Sequence, residues 1–332
     1  MKKIILLLLS FLIGVVLFIW IGRVVGWQAI GNAFLAFTGW QGIVILILTI
    51  FMALVGTWKW KEILKGESVN VPFKNLLSPY LSGFAIMFLA PILVWGGEIF
   101  RSYILKERCK VPWPKGMASV VIDRILEWTA NLVVIFFGSL FFIFQIGTPP
   151  SNLGLIFGGA FLVFAAGISF FYFKSLRSES IVRFFIRGDK KQPLDTEKEI
   201  FNFFQPRNIA LWKGFGLSFL RAGFMYLRVW LLVLFLGKNI GALPALSILG
   251  FNYLASMIPI PTALGSHEAI QTFAFNSLGL APSFATVFTM VIRAAELVIS
   301  LAGIVILFRL GIIMIKNMLF KKIDAFVDDY EI

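Results

Sequence analysis

Apolar residues run along most of this chain in stretches about as long as a bilayer is thick. The segments Ile4–Gly22, Gly42–Trp58, Met117–Ile146, Leu153–Phe173, Phe215–Leu236 and Ser283–Phe308 each predict a full transmembrane helix, because about 17 to 25 residues at 1.5 Å rise cross the hydrocarbon core. Two further apolar segments stop short. Tyr80–Ala90 supplies about 16 Å of helix before Pro91 and the Gly96-Gly97 pair interrupt it. Pro244–Ile258 supplies about 22 Å before Pro259 and Pro261, and an apolar pattern resumes at Glu268–Leu278 after Gly265. Both read as re-entrant helical hairpins, with irregular backbone at depth that must be shielded by protein or line a wet cavity. The fold class expected is an all-α polytopic membrane protein with about six full spans and two such hairpins.

Cationic clusters at Lys2-Lys3, Lys59 to Lys74, Arg101 to Lys115, Lys174 to Arg207 and Arg309 to Lys322 alternate with the nearly uncharged segments 23–41, 147–152 and 237–243. The positive-inside rule puts the first set, with both termini, in the cytoplasm. Clusters 59–74 and 101–115 share a side only if the first hairpin returns on itself. By the same logic the second hairpin, about 243–280, enters from outside. The expected organisation is an N-terminal span and outer loop (1–41), a first repeat (42–146), a connecting span and basic loop (147–206), a second repeat of opposite orientation (207–310) and a cytoplasmic tail (311–332). Inverted repeats with broken helices in matching positions are the pattern of secondary transporters. The run Met1-Lys2-Lys3 before Ile4–Gly22 resembles a signal peptide, but its apolar part is long and lacks a small-residue cleavage motif, so an uncleaved span is expected.

Composition agrees: 59% of the 332 residues are hydrophobic, 14% are charged, and the net charge is +13. In a soluble chain that charge would point to nucleic acid. Here it fits the anionic membrane surface, and no nucleic-acid partner is expected. In the loop 174–207, Ile181 to Ile186 interleaved with Arg177, Arg183 and Arg187 fits either a short interfacial helix on anionic lipid or a solvated linker. One cysteine, Cys109, and one histidine, His267, leave no metal-ligand spacing, and no P-loop or nucleophile-elbow motif occurs. No cofactor or metal is expected, and no stretch is long enough for a soluble catalytic domain.

The chemistry lies in charges that repeat. Pro91 precedes Glu98 by seven residues, as Pro261 precedes Glu268; Arg124–Glu127 and Arg293–Glu296 follow at the same i, i+3 step. Charges at this depth cost about 2.5–3.5 kcal/mol each on insertion scales. Each Arg–Glu pair can neutralise itself on one helix face, and two readings stay open: inert ion pairs that lock the halves together, or a polar cavity whose arginines hold a lipid phosphate. Glu98 and Glu268 each fall in the first turn of a resuming helix, where the dipole favours an acid. There they can equally bind a cationic head group or a proton. Arg221 and Arg228, seven residues apart on one face, have no counterpart within Gly42–Trp58 and are candidates for further phosphate contacts, Arg228 equally for pairing with an acid. Asp123, beside Arg124, reads as a local partner or a surface residue.

The motifs APILVWGGEIFR (90–101), IDRILEW (122–128), PIPTALGSHEAIQ (259–271) and VIRAAEL (291–297) resemble the transmembrane, flippase-like domain of lysylphosphatidylglycerol synthases and their stand-alone relatives. The resemblance covers about residues 4–310. It implies a helical domain that moves aminoacylated or otherwise modified phospholipids between leaflets of the cytoplasmic membrane. It also implies that Glu98, Arg124, Glu127, Glu268, Arg293 and Glu296 are the residues that matter. In the full-length enzymes a separate C-terminal domain transfers lysine to phosphatidylglycerol. That domain is expected to be absent here, so a separate lipid-modifying enzyme becomes a conceivable partner, and a transporter is expected rather than an enzyme. Where the family usually has a glycine-rich break after the second proline, this chain has Thr262-Ala263. The competing functional class is a membrane-embedded transferase, or its accessory subunit, using the same carboxylates for acid–base work; a structural partner with inert pairs is the third.

Overall fold

The structure, a computed structural model, describes residues 28, 39–89, 96–147, 151–185, 191–257, 266–280 and 282–328. Its helices are α1 (Trp40–Gly66), α2 (Phe73–Leu89), α3 (Gly96–Cys109), α4 (Trp113–Ile146), α5 (Ser151–Leu176), α6 (Val182–Phe185), α7 (Lys191–Phe203), α8 (Ile209–Phe235), α9 (Ala242–Met257), α10 (Ser266–Ser277) and α11 (Pro282–Asp328). No strand occurs among the described residues. Five of the helices contain stretches long and apolar enough to cross a membrane: Trp40–Gly66, Trp113–Ile146, Gly154–Leu176, Ile209–Phe235 and Val287–Leu310. They contain the five expected spans after the first. The predicted span Ile4–Gly22 and the breaks at Pro91, Pro259, Pro261 and Gly265 lie outside the described residues.

Local chemistry sets the helix ends. Glycines with positive φ follow α4 and α8 (Gly147 at 103°, Gly237 at 78°), where only a residue without Cβ turns the chain cheaply. Pro112 precedes α4 and a second proline sits in its first turn, where the missing N–H costs nothing. Asn208 caps α8 by accepting a hydrogen bond from the Ala210 amide at 3.0 Å. The expected first helix, Tyr80–Ala90, begins a full two turns earlier at Phe73 and carries Pro79 inside it.

The two short helix pairs pack crosswise. In α2–α3 the limbs meet backbone to backbone: a Cβ on Gly97 would lie 2.3 Å from the Gly83 carbonyl oxygen. The long helix α11 then closes on α2, with Gly303 against the Leu81 carbonyl and Ser82 donating to the Gly303 carbonyl at 3.4 Å. The same device recurs where α4 meets α9: Gly138 lies against the Leu246 carbonyl, and Ser247 donates to the Gly138 carbonyl at 2.8 Å. Thus the first limb of each short pair docks on the long span of the other half, through small residues that let backbones approach in an apolar solvent. The spans α1 and α8 form the largest helix–helix contact and join the halves. Apolar cores fill the spaces between, around Val229, Phe275 and Phe288 on one side and Ile63, Ile122 and Leu126 on the other.

The basic loop contains more structure than its composition implied. Residues 191–203 form α7, which buries Ile200, Phe201 and Phe203 against the body. Where the sequence predicts either a short interfacial helix or a solvated linker, the described residues hold the helix α6, its entry fixed by Glu197, whose carboxylate accepts from the Ile181 and Val182 amides at 2.6 and 2.9 Å. At this end Glu67, only 4% exposed, lies near the Glu199 carboxyl, while Lys115 donates to the Glu67 main-chain oxygen at 2.8 Å. Burial and the neighbouring Glu199 carboxyl push the Glu67 pKa up to about 8. The folded chain therefore keeps a proton that an unfolded glutamate, with a pKa of about 4.3, releases; stability is greatest at low pH and falls as pH climbs from about 4.5 to 8. In detergent, the thermal unfolding midpoint is expected to drop between pH 5 and pH 8.5, and Glu67→Gln is expected to flatten that slope. An unchanged slope in the variant would place the titrating group elsewhere.

Candidate functional site

Three helices bring the first-half charges to one point. Glu98 is in the first turn of α3 and is 1% exposed. Its Oε1 accepts from Nε of Arg124 on α4, whose Nη1 reaches Glu127 Oε2 at 3.2 Å and whose Nη2 lies against Met87 Sδ. The expected i, i+3 pair therefore forms, and its arginine is also tied to α2 and α3. The second oxygen of Glu127 takes Arg221 from α8, a contact from the other half of the chain.

Three further groups belong to this cluster. Lys59 of α1 sits 2.9 Å from Asp123 Oδ1 and 3.8 Å from Glu127 Oε2. Arg101 of α3 lies 3.0 Å from Asp123 Oδ2, with its guanidinium 4.1 Å from the centre of the Trp60 ring and 4.8 Å from that of Tyr80. Those aromatic faces supply what a carboxylate does not. Lys59, Arg101 and Asp123 are each 3% exposed or less. This corrects two readings of the sequence: Lys59 and Arg101 are not part of the cytoplasmic basic clusters but are interior cations, and Asp123 is buried rather than on the surface. The helix α1 runs on past Trp58 to Gly66, so charge that closes an apolar run in sequence lies inside the packed body.

The same extension supplies the missing counterpart of Arg228. The offset of 169 residues that relates Glu127 to Glu296 also relates Lys59 to Arg228. Arg228, fully buried, contacts Glu296 at 3.0 Å and Thr49 Oγ1 of α1 at 3.1 Å. Each long span thus offers its glutamate to a basic residue of the α1–α8 pair. Arg221 has Met52 at the matching position and is an addition of the second half alone. Arg293 is partly buried one turn before Glu296, and the Glu268 side chain lies outside the described residues. Gly96 and Gly97 open α3, and Gly97 allows the close approach to Gly83 that aims Glu98 inward.

Charge counting around Glu127 is informative. Lys59, Arg101, Arg124 and Arg221 face Glu98, Asp123 and Glu127, four cations against three carboxylates. Lys59, Arg101, Glu98 and Asp123 are sealed, whereas the Arg124 and Arg221 side chains keep 18% and 20% exposure. Among the described side chains one positive charge is left over, and Arg124 and Arg221, which flank Glu127, are the cations of the cluster that keep exposed surface. A planar fork on each suits a phosphate diester. Among the described residues no three His, Cys, Asp or Glu converge as a metal site.

If Lys59 neutralises this acid pair, Lys59→Met strands buried carboxylates. Losing one partner of a buried ion pair costs about 3–5 kcal/mol, and retention of Arg101 by Asp123 puts the expected loss near the lower end. Adding Asp123→Asn is expected to restore part of it, as measured by unfolding midpoints in detergent. Independent, additive losses would deny the coupling.

Residues 7–303 match the family model of the lysylphosphatidylglycerol synthase transmembrane region. The chain is 25% identical over 296 residues to the UPF0104 membrane protein MJ1595 of Methanocaldococcus jannaschii, covering 84% of this chain and 86% of the relative. It is also 25% identical over 300 residues to the UPF0104 membrane protein PH1989 of Pyrococcus horikoshii, covering 82% and 87%. No solved structure matches. The stacked apolar helices, the paired charges and the match over nearly all of its length make this chain a member of the lysylphosphatidylglycerol synthase transmembrane family.

Proposed function

We propose that this protein is a lipid transporter that carries a phospholipid head group across the cytoplasmic membrane through a polar chamber between its two halves. The observation that carries the reading is the sharing of Glu127 by Arg124 and Arg221, one from each half, with one cation more than carboxylates around them among the described side chains. A head-group phosphate would complete that charge count, and its acyl tails would stay outside the polar chamber. Ion pairs kept for packing alone gain little over apolar side chains, and a lock would need no surplus cation.

The crosswise docking of α2 on α11 and α9 on α4 supports two inverted repeats, with both short pairs as re-entrant hairpins. At 17, 14, 16 and 12 residues, their limbs are each shorter than the roughly 20 residues a spanning helix needs. Rocking of one repeat against the other about α1 and α8 would expose the chamber to each leaflet in turn. By the positive-inside rule the basic loops favour a cytoplasmic location for both termini. A potential negative inside then favours outward movement of an anionic lipid, by about 2.3 kcal/mol per charge per 100 mV, and opposes that of a cationic one unless protons are coupled through the glutamates.

The test is reconstitution with leaflet-labelled phosphatidylglycerol. The Arg124→Ala, Arg221→Ala double variant is expected to slow head-group transfer at least tenfold, while Arg177→Ala, on the exposed loop, transfers normally. Transfer at the unmodified rate in the double variant would remove the chamber assignment. Covalently altered lipid formed by the purified protein would favour an embedded transferase instead.

A further inference from the structure

The helix α5 is the least integrated of the spans. Almost none of its membrane-length window is buried, and it touches the body along a seam rather than a face. The seam begins beside the charge cluster: Thr129, two residues past Glu127, meets the Tyr172 hydroxyl at 3.0 Å, and Trp128 meets Phe164 edge-on. Further along, Phe136 stacks near Phe161. The seam then opens into a cavity of about 400 Å³ between α4, α5 and α9.

The walls of that cavity are hydrocarbon. Phe136 and Phe142 of α4, Phe157 of α5 and Phe251 and Leu254 of α9 surround it, and the hydroxyl of Ser139 is the one polar side-chain group in the lining. Phe142 and Phe251 sit 4.9 Å apart edge to face, and Phe157 and Phe251 sit 5.6 Å apart, so the walls hold each other in place. Gly154 and Gly158 form part of the α5 wall, and a Cβ on Gly158 would meet nothing within 4 Å. Water finds no set of polar partners there, and apolar cavities of this kind stay dry and take apolar guests. In a bilayer the guest gains nothing from leaving water. It gains dispersion contacts with ordered side chains of three helices that bulk lipid does not present.

The position of the slot selects its guest. Ile135 and Ile143, at its ends on α4, lie eight and sixteen residues beyond Glu127, or about 12 and 24 Å along the helix. That is the distance from a phosphate to the middle and end of a long acyl chain on the same molecule. We infer that the seam between α4 and α5 is an acyl-chain slot, holding one tail of the lipid whose phosphate is bound by Arg124 and Arg221. This rests on the head-group reading above and adds a second, apolar determinant of what is carried: a lipid with a long, flexible hydrocarbon chain.

The probe is phosphatidylglycerol bearing a diazirine near the end of one acyl chain, in vesicles containing the full-length protein. On illumination, adducts are expected to concentrate on Phe157, Phe161 and Phe251 over the outward-facing Leu155 and Leu162. Gly158→Leu, which fills the slot, is expected to lower those adducts at least fivefold; Gly159→Leu, which also meets open space but lies outside the lining, is expected to leave them unchanged. Gly158→Ala gives an intermediate fill should the leucine variant fail to fold. The Arg124→Ala, Arg221→Ala double variant is expected to lower slot adducts as well, because the tail is placed by its head. Adducts spread evenly over lipid-facing residues, insensitive to Gly158→Leu, would overturn the slot even if head-group transfer still depended on the arginines. Slot adducts that persist in the arginine double variant would overturn its link to the head-group site. The transfer assay judges the head-group reading by itself.

Discussion

One carboxylate, Glu127, organises the interior. It accepts from Arg124 on its own helix, from Arg221 across the other half, and stands within 3.8 Å of Lys59. In an environment of low dielectric a charge left alone is very costly, so each of these groups constrains where the others lie. The constraint reaches outward: Lys59 and Arg101 both require Asp123, Arg101 requires the faces of Trp60 and Tyr80, and Glu98 requires the α3 start that Gly97 permits. Four helices are fixed to one another by this chain of neutralisation, in a solvent that offers almost no hydrophobic drive for helix association.

The remaining contacts are of two physical kinds. Backbone approach through Gly83, Gly97, Gly138 and Gly303 brings the short pairs against the long spans, with serine hydroxyls closing on the exposed carbonyls. Aromatic packing around Phe142, Phe157 and Phe251 holds the outer seam. The first is tight and leaves no space, whereas the second leaves a cavity. That contrast separates the parts built to stay fixed from the part with room for a hydrocarbon guest.

The α1–α8 pair joins the two halves and carries the asymmetry between them. Lys59 and Arg228 occupy matching positions and serve matching glutamates. Arg221, by contrast, stands where the first half has Met52, and Asp123 stands where the second has Ile292. In charge these two departures cancel; what Arg221 adds is a partly exposed guanidinium that faces Arg124 across Glu127.

Much of this was legible in the chain. Lengths of the apolar runs located the five described spans, since the bilayer thickness admits few alternatives; the repeated Pro, Glu, Arg and Glu spacing singled out Glu98, Arg124 and Glu127, and a seven-residue separation within one span singled out Arg221 and Arg228. What the sequence determined, then, was which groups cannot face lipid. Tertiary structure alone decided which partner each one takes. Glu127 shares itself with an arginine 94 residues away, Glu296 takes Arg228 from α8, and Lys59 and Arg101 belong to the core although they border basic loops. A helix continues past the last apolar residue whenever a buried acid on another helix neutralises the next charge, and that acid has no signature in the local pattern.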